Sequence, residues 1–276
     1  MPRQPIVTLT TDFGLNDHFV GTIKGVILNI VPEATIVDIS HSIQAFDILD
    51  GALSIAQAYD YFPTGTVHLV VVDPGVGSAR RPIIASSDRF HFVAPDNGVL
   101  SLIYGREERI HVREITSDHY FLQPICNTFH ARDIFSPVAA YLAKGVDSVN
   151  FGEEISEFVR FNAPRPKATA GNSFRCVVLK ADRFGNLITN ITAQDVPALF
   201  VGQTPSFKIA AGKSEVTSIK KAYAEGTPGE VFAILGSMGY LELAANRGSA
   251  AQIASIGKGS EVTLTLEGTA AASNGQ

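Results

Sequence analysis

Three polar clusters interrupt apolar, strand-like runs in this 276-residue chain, and each carries residue types able to do chemistry. The first, Thr10-Thr11-Asp12-Phe13-Gly14, ends a β-branched run. A carboxylate placed there can accept hydrogen bonds from ribose hydroxyls, or it can simply cap the turn that follows. The second, Asp73-Pro74-Gly75-Val76-Gly77-Ser78-Ala79-Arg80-Arg81, leaves a run apolar enough to be a buried strand. Its proline fixes one backbone angle, and its glycines allow a ligand close to the backbone. Without a Lys-Ser/Thr ending it is not a phosphate-cradling loop. A tight turn with two surface arginines explains the glycines, but not an aspartate at the end of a core strand. The third, Asn127-Thr128-Phe129-His130-Ala131-Arg132-Asp133, precedes a helical pattern, where Asp133 is available as a cap. Asp12, Asp73, His130 and Asp133 also offer oxygen and nitrogen ligands for a metal, although no local His-x-x-x-His chelate supports one.

Weaker signals lie in the C-terminal half. Ala181-Asp182-Arg183-Phe184-Gly185-Asn186-Leu187 reads as a hairpin turn, or as a carboxylate, an aromatic face and an amide offered to one ligand. Gly236-Ser237-Met238-Gly239-Tyr240-Leu241-Glu242 is a small-residue turn entering a strand, with Ala245-Asn246-Arg247 beyond it.

The elements that must position these clusters follow from periodicity. Ile6–Thr11 reads as a strand. Phe19, Ile23, Val26, Ile27 and Ile30 recur at helical spacing, with Asn16 or Asp17 as a cap and Pro32 beyond the end. A second strand follows at Thr35–Ile39, then a helix on Ile48, Leu49, Ala52, Leu53 and Ala56. Val67–Val72 is a nearly continuous apolar run, the pattern of a strand covered on both faces. This β-α-β-α-β succession predicts a layered α/β domain with a mostly parallel sheet, whose polar strand ends are where such folds place their sites. Shorter strands are expected at Pro82–Ser86, Phe90–Val93 and Arg109–Ile115, then a helix at Ile134–Lys144. Residues 164–172 lack apolar periodicity and read as a linker between an N-terminal domain, 1–163, and a smaller β-rich domain, 173–276. Short strands are expected in the latter at Phe174–Lys180, Leu187–Ile191, Phe207–Ala210, Val231–Leu235, Tyr240–Ala244 and Val262–Leu266, with a fraying tail at Gly268–Gln276.

Lys+Arg at 22 against Asp+Glu at 27 gives a net charge of −5, which disfavours nucleic acid as a main partner. Cys126 and Cys176 are far apart, suiting a reducing compartment rather than a disulfide framework or structural zinc. No long apolar span suggests a membrane, and a cytoplasmic protein is the default expectation.

Taken together, Thr-Thr-Asp-Phe-Gly, Val-Asp-Pro-Gly-Val-Gly, Thr-Phe-His-x-Arg-Asp, Asp-Arg-Phe-Gly-Asn and Ser-x-Gly-Tyr-Leu-Glu occur in order across roughly residues 6 to 266. This set resembles the S-adenosyl-L-methionine hydroxide adenosyltransferases, relatives of the 5′-halogenases. The resemblance implies a C-terminal β-barrel-like domain and a homotrimer with substrate between domains of neighbouring subunits. It implies hydrolysis of S-adenosyl-L-methionine to adenosine and L-methionine, without metal or further cofactor. It implies a water-handling triad matching Asp73, Arg80 and His130, with Arg81 the neighbouring possibility. Asp12 is implied at the ribose hydroxyls. Asp182, Phe184, Asn186, Ser237, Tyr240, Glu242 and Ala245 are implied around the adenine and methionine ends. Halogenases of this type carry Tyr-Ser where His130-Ala131 stands, lack the Asp-Pro-Gly-Val-Gly form, and in the fluorinating branch have an insertion absent between Gly77 and Asn97. Water is therefore the expected nucleophile. A halide-dependent 5′-halogenase, a non-catalytic adenosyl-binding protein and a metal-dependent hydrolase are the alternatives. The sequence leaves open which triad member accepts the proton.

Overall fold

The computed structural model describes residues 4–200 and 205–267, so the expected fraying tail lies outside the described residues. The chain divides into two compact units, Met1–Asn162 and Ala163–Gln276.

Among the described residues, the first unit is built on a six-stranded sheet of β1 (Ile6–Thr11), β2 (Thr35–Ser40), β3 (Val67–Val71), β4 (Pro82–Ser86), β5 (His91–Pro95) and β6 (His111–Glu114), in the order β2-β1-β3-β5-β4-β6. The first four strands in that order run parallel, whereas β4 pairs antiparallel with both β5 and β6. Helices α1 (Phe19–Ile30) and α2 (Ile48–Ala58) make the crossovers, joined by α3 (Ser101–Tyr104) and α4 (Ser136–Ala143). The apolar run of β3 explains the layering. Leu69 and Val71 join a core cluster with Ile23 and Ile27 of α1 and Val138 of α4. Val70 and Val72 join the opposite cluster with Ile55 of α2 and Ile103 of α3. Each face of the strand thus meets helices, as its lack of alternation requires.

Three local expectations are corrected. Neither Asn16 nor Asp17 caps α1: the N-cap position is His18, in helical backbone geometry and without a side-chain cap. Phe19 leaves the buried stripe, which is Val20, Ile23 and Ile27. The helix expected from Ile134 begins instead with a π-turn over Ala131–Phe135 before α4. Pro137 supplies the reason. It has no N–H to offer the carbonyl four residues back, and that carbonyl, Asp133 O, accepts from Leu122 N at 2.8 Å instead. The wide turn therefore forms where the helix cannot close normally.

The second unit is β-rich and barrel-like. Its strands are β7 (Lys167–Ala168), β8 (Ser173–Ala181), β9 (Leu187–Thr192), β10 (Ser206–Ala211), β11 (Ser214–Val216), β12 (Ile219–Lys220), β13 (Val231–Leu235), β14 (Tyr240–Ala245) and β15 (Glu261–Glu267). They follow the order β11-β10-β15-β8-β9-β14-β13-β12, with β7 added at β8. Among the described residues of this unit, antiparallel pairing dominates and only β12 with β13 is parallel. Val178, Leu187, Ile209, Leu243 and Leu264 meet in one core. The short strands β7, β11 and β12 and the helix α5 (Ala250–Ala254) are too brief for periodicity to reveal. β7 lies within the segment expected as a linker.

Candidate active site

The order β2-β1-β3 reverses between β1 and β3, which makes their carboxyl ends the switch point where open α/β sheets bind ligands. Thr11 and Val71 are register partners at that edge. Asp12 follows the first and Asp73 stands two residues beyond the second, so the topology sets the two carboxylates side by side. Their proximity is felt electrostatically. Burial raises the Asp12 pKa, hydrogen bonds from the Phe46 and Asp12 backbone N–H groups oppose this, and the Asp73 charge raises it further.

Asp73, Arg80 and His130 form one connected group. Arg80 Nε donates to Asp73 Oδ1 at 3.1 Å and Oδ2 at 3.0 Å, and its Nη2 donates to Oδ2 at 2.5 Å. The same Nη2 lies 2.9 Å from His130 Nδ1. The Arg80 and Asp73 side chains are 9% and 5% exposed, so the pair is well removed from water. Such a pair holds its geometry because losing either member would leave a buried charge uncompensated. The Arg80 guanidinium also lies 5.1 Å from the Phe135 ring centre, on the π-turn that follows His130. Burial and the Arg80 charge push the His130 pKa down, against the opposing pull of Asp73 and Asp133. Arg81 turns elsewhere: it pairs with Asp96 at 2.6 Å and donates to Glu157 O. Arg80 is therefore the arginine that joins Asp73 to His130.

Two loops must meet closely for this. Gly77 has φ +75°, and a Cβ there would stand 2.3 Å from Asn127 O, on the segment leading to His130. Only glycine allows both that backbone conformation and that approach. Gly77→Ala is expected to lower turnover by about 10- to 100-fold with a modest change in KM, because small misplacements of reacting groups cost rate steeply; steady-state kinetics check it. Beneath His130, the fully buried Asp133 accepts from Cys126 N at 2.8 Å and pairs with Arg132 at 2.6 Å. It pins the loop below the helix start rather than capping the helix, which corrects the capping expectation. Asp73 is paired with Arg80 and Asp133 with Arg132, and among the described residues no three His, Cys, Asp or Glu side chains converge on a metal position.

Asp12, Asp73 and His130 line one cavity of about 280 Å³ together with Phe13, Phe46 and Phe129. Phe46 was not foreseen. It is 71% exposed and holds φ +66°, a costly conformation for an aromatic residue. Its N–H donates to Asp12 Oδ2 at 2.8 Å, so the bond that fixes Asp12 also presents this ring. Phe19 edges the same cavity, meeting Phe129 at 5.2 Å between ring centres. The cavity thus combines aromatic walls with two carboxylates and an imidazole, a composition suited to a flat, polar-edged ligand.

In the second unit, Asp182, Phe184, Asn186 and Ala245 line a cavity of about 570 Å³ with Tyr223 and Arg247. The Asp182 turn is a true hairpin turn, and Asp182 Oδ1 accepts from Phe184 N at 2.9 Å and Asn186 N at 2.8 Å. Phe184 is consequently held 77% exposed. Glu242 stands behind this cavity, accepting from Tyr223 OH at 3.1 Å, and burial raises its pKa, although Tyr223 opposes this. Ser237 and Tyr240 lie in the β13–β14 turn and at the head of β14, and neither lines this cavity. Tyr223 was missed because nothing in its sequence neighbourhood marks it.

Comparisons with known proteins agree with this layout. Residues 7–152 match the model of the SAM hydroxide adenosyltransferase N-terminal domain, and residues 176–263 match that of the C-terminal domain. The chain is 33% identical to an (R)-S-adenosyl-L-methionine hydrolase of Salinispora tropica, over 96% of this chain and 99% of that one. It is 29% identical to a fluorinase of Nocardia brasiliensis, over 90% of this chain and 93% of that one. The crystal structure of an uncharacterized conserved protein from Thermotoga maritima superposes with a TM-score of 0.85 at 34% identity, covering 94% and 99% of the two chains. Among the described residues, no helix is long and apolar enough to cross a membrane.

Proposed function

The chain belongs to the S-adenosyl-L-methionine hydroxide adenosyltransferase family, and we propose that Asp73, Arg80 and His130 handle the water with which it hydrolyses S-adenosyl-L-methionine to adenosine and L-methionine. The observation that supports this assignment is the Asp73–Arg80–His130 hydrogen-bonded group, of which Asp73 and His130 line an aromatic-walled cavity.

The substrate sulfonium already leaves as a neutral thioether, so no acid is needed to expel methionine. The enzyme's task is to align water behind the ribose C5′ and stabilise the hydroxide character it gains. Positioning alone can contribute on the order of several kcal/mol. Arg80, fixed by Asp73 in a poorly hydrated place, supplies a preorganised positive charge beside the nucleophile. Asp12 receives the ribose hydroxyls, and the aromatic rings around it exclude bulk water. In the second unit, Asp182, Phe184, Asn186 and Ala245, backed by Glu242, hold the adenine and methionine ends, with Ser237 of the β13–β14 turn and Tyr240 at the head of β14 contributing from outside that cavity. No metal enters any of these steps. The working form is a homotrimer acting in the cytoplasm, its partner a small cationic substrate rather than a nucleic acid.

Ala131, 3% exposed among the core side chains, puts no hydroxyl where the resemblance implies a serine in the halogenases. Incubating the protein with S-adenosyl-L-methionine and separating the products, with and without chloride or fluoride, is expected to give adenosine in every case. Halide-dependent formation of a 5′-halo-deoxyadenosine would overturn the reading, and binding without methionine release would assign the chain to the non-catalytic alternative.

A further inference from the structure

Given the hydrolase reading, the hydrogen bonding within the triad decides which member receives the proton of the attacking water. A guanidinium presents five N–H donors and no acceptor, and it stays protonated in proteins. Arg80 Nη2 lies 2.9 Å from His130 Nδ1, so that ring nitrogen must carry the lone pair. His130 is therefore a neutral imidazole with its proton on Nε2. Burial, helped by the Arg80 charge and opposed by Asp73 and Asp133, holds its pKa below the usual histidine value, which agrees with a neutral ring. His130 lines the cavity with Nδ1 already occupied. What the ring offers a molecule there is a donor, and a donor cannot take a proton from water.

The carboxylate can. Asp73 lines the same cavity. Its Oδ2 accepts two hydrogen bonds from Arg80, at 3.0 and 2.5 Å, whereas Oδ1 accepts one, at 3.1 Å. A carboxylate oxygen has two lone-pair sites, so Oδ1 keeps one open. Asp12, the other carboxylate here, is occupied by the ribose hydroxyls in the hydrolase reading.

We infer that Asp73, through Oδ1, takes the proton of the attacking water, while His130 holds that water as a hydrogen-bond donor through Nε2–H. The water oxygen forms its bond to C5′ as the C5′–S bond breaks, and the bonding pair stays on sulfur, giving the neutral thioether of L-methionine. One O–H proton of the water passes to Asp73. The other remains as the 5′-hydroxyl of adenosine, and the Asp73 carboxyl later releases its proton to solvent.

The tautomer can be read without turnover, from long-range proton–nitrogen correlations of the isotopically labelled protein, using the spectrum of His130→Gln to assign the ring. Nδ1 is expected at the shift of an unprotonated nitrogen and Nε2 at that of a protonated one. In the hydrolysis assay, His130→Gln keeps an amide N–H near the Nε2 position and is expected within about tenfold of wild type. Asp73→Asn, which cannot accept the proton, is expected to lose at least about 100-fold, the range of general-base effects. A ring protonated on Nδ1, or a His130→Gln enzyme as inactive as Asp73→Asn, would overturn the assignment. Failure of the hydrolase reading would instead appear in the wild-type enzyme as a lack of adenosine, so the two failures are distinguishable.

Discussion

Replacing Arg80 with alanine is expected to reduce kcat by about 1,000-fold, with KM changed only a few-fold, because removing a preorganised charge at a developing anion costs about 3–4 kcal/mol. Arg80 is the hub of the triad: every contact holding Asp73 and His130 in one group runs through its guanidinium. Its removal leaves the 5%-exposed Asp73 side chain without its counter-charge and frees the His130 ring to rotate. The histidine carries a second signature. Burial and the Arg80 charge hold the His130 pKa down, while Asp73 and Asp133 pull it up. Without the guanidinium the protonated ring is penalised less, so the pKa rises. Pre-steady-state turnover measures the first effect, and an NMR titration of the His130 ring, expected to gain its second proton at a higher pH than in wild type, measures the second. An Arg80→Ala enzyme whose His130 titrates as in wild type would mean that the 2.9 Å contact does not govern the histidine.

Asp12→Ala is also expected to be costly, and the loss falls on binding. Two charge-assisted hydrogen bonds from ribose hydroxyls to one carboxylate contribute about 3 kcal/mol or more together, so kcat/KM should drop by about 100-fold or more. Most of the loss should appear in KM, since in the proposed reading Asp12 holds the ribose hydroxyls equally before and during reaction. The substitution also removes the acceptor of Phe46 N, releasing a residue held at φ +66° and the ring it presents. The pH dependence has a definite sign. The Asp12 pKa lies above the usual aspartate value because of burial and the Asp73 charge. Affinity should therefore weaken on acidification at a pH higher than an ordinary carboxylate would give, and this limb should vanish in the variant. Calorimetric titration with adenosine reads it directly.

The candidate site is legible in the sequence where a residue's position is set by strand chemistry. Ile6–Thr11 reads as a strand and the run from Val67 as one covered on both faces, so Asp12 and Asp73 fall at their ends. What composition cannot express is the strand order, and it is the β2-β1-β3 reversal that turns two separate strand ends into one site. Arg80 and Arg81 were indistinguishable by type, and only the partners available in space, Asp73 for one and Asp96 for the other, separate them. The π-turn over Ala131–Phe135 was hidden because the helical pattern expected at Ile134–Lys144 starts inside it, although Pro137 was its visible cause. Phe46 and Tyr223 were invisible for a different reason. An aromatic residue in a loop carries no periodic mark, and its role comes from a backbone contact or a distant carboxylate.

Single-turnover incubation with S-adenosyl-L-methionine in isotopically labelled water tests the central claim most directly. Attack of water at C5′ predicts one heavy oxygen in the 5′-hydroxyl of adenosine and none in the released L-methionine. Adenosine without label, or label recovered only in methionine, would contradict it.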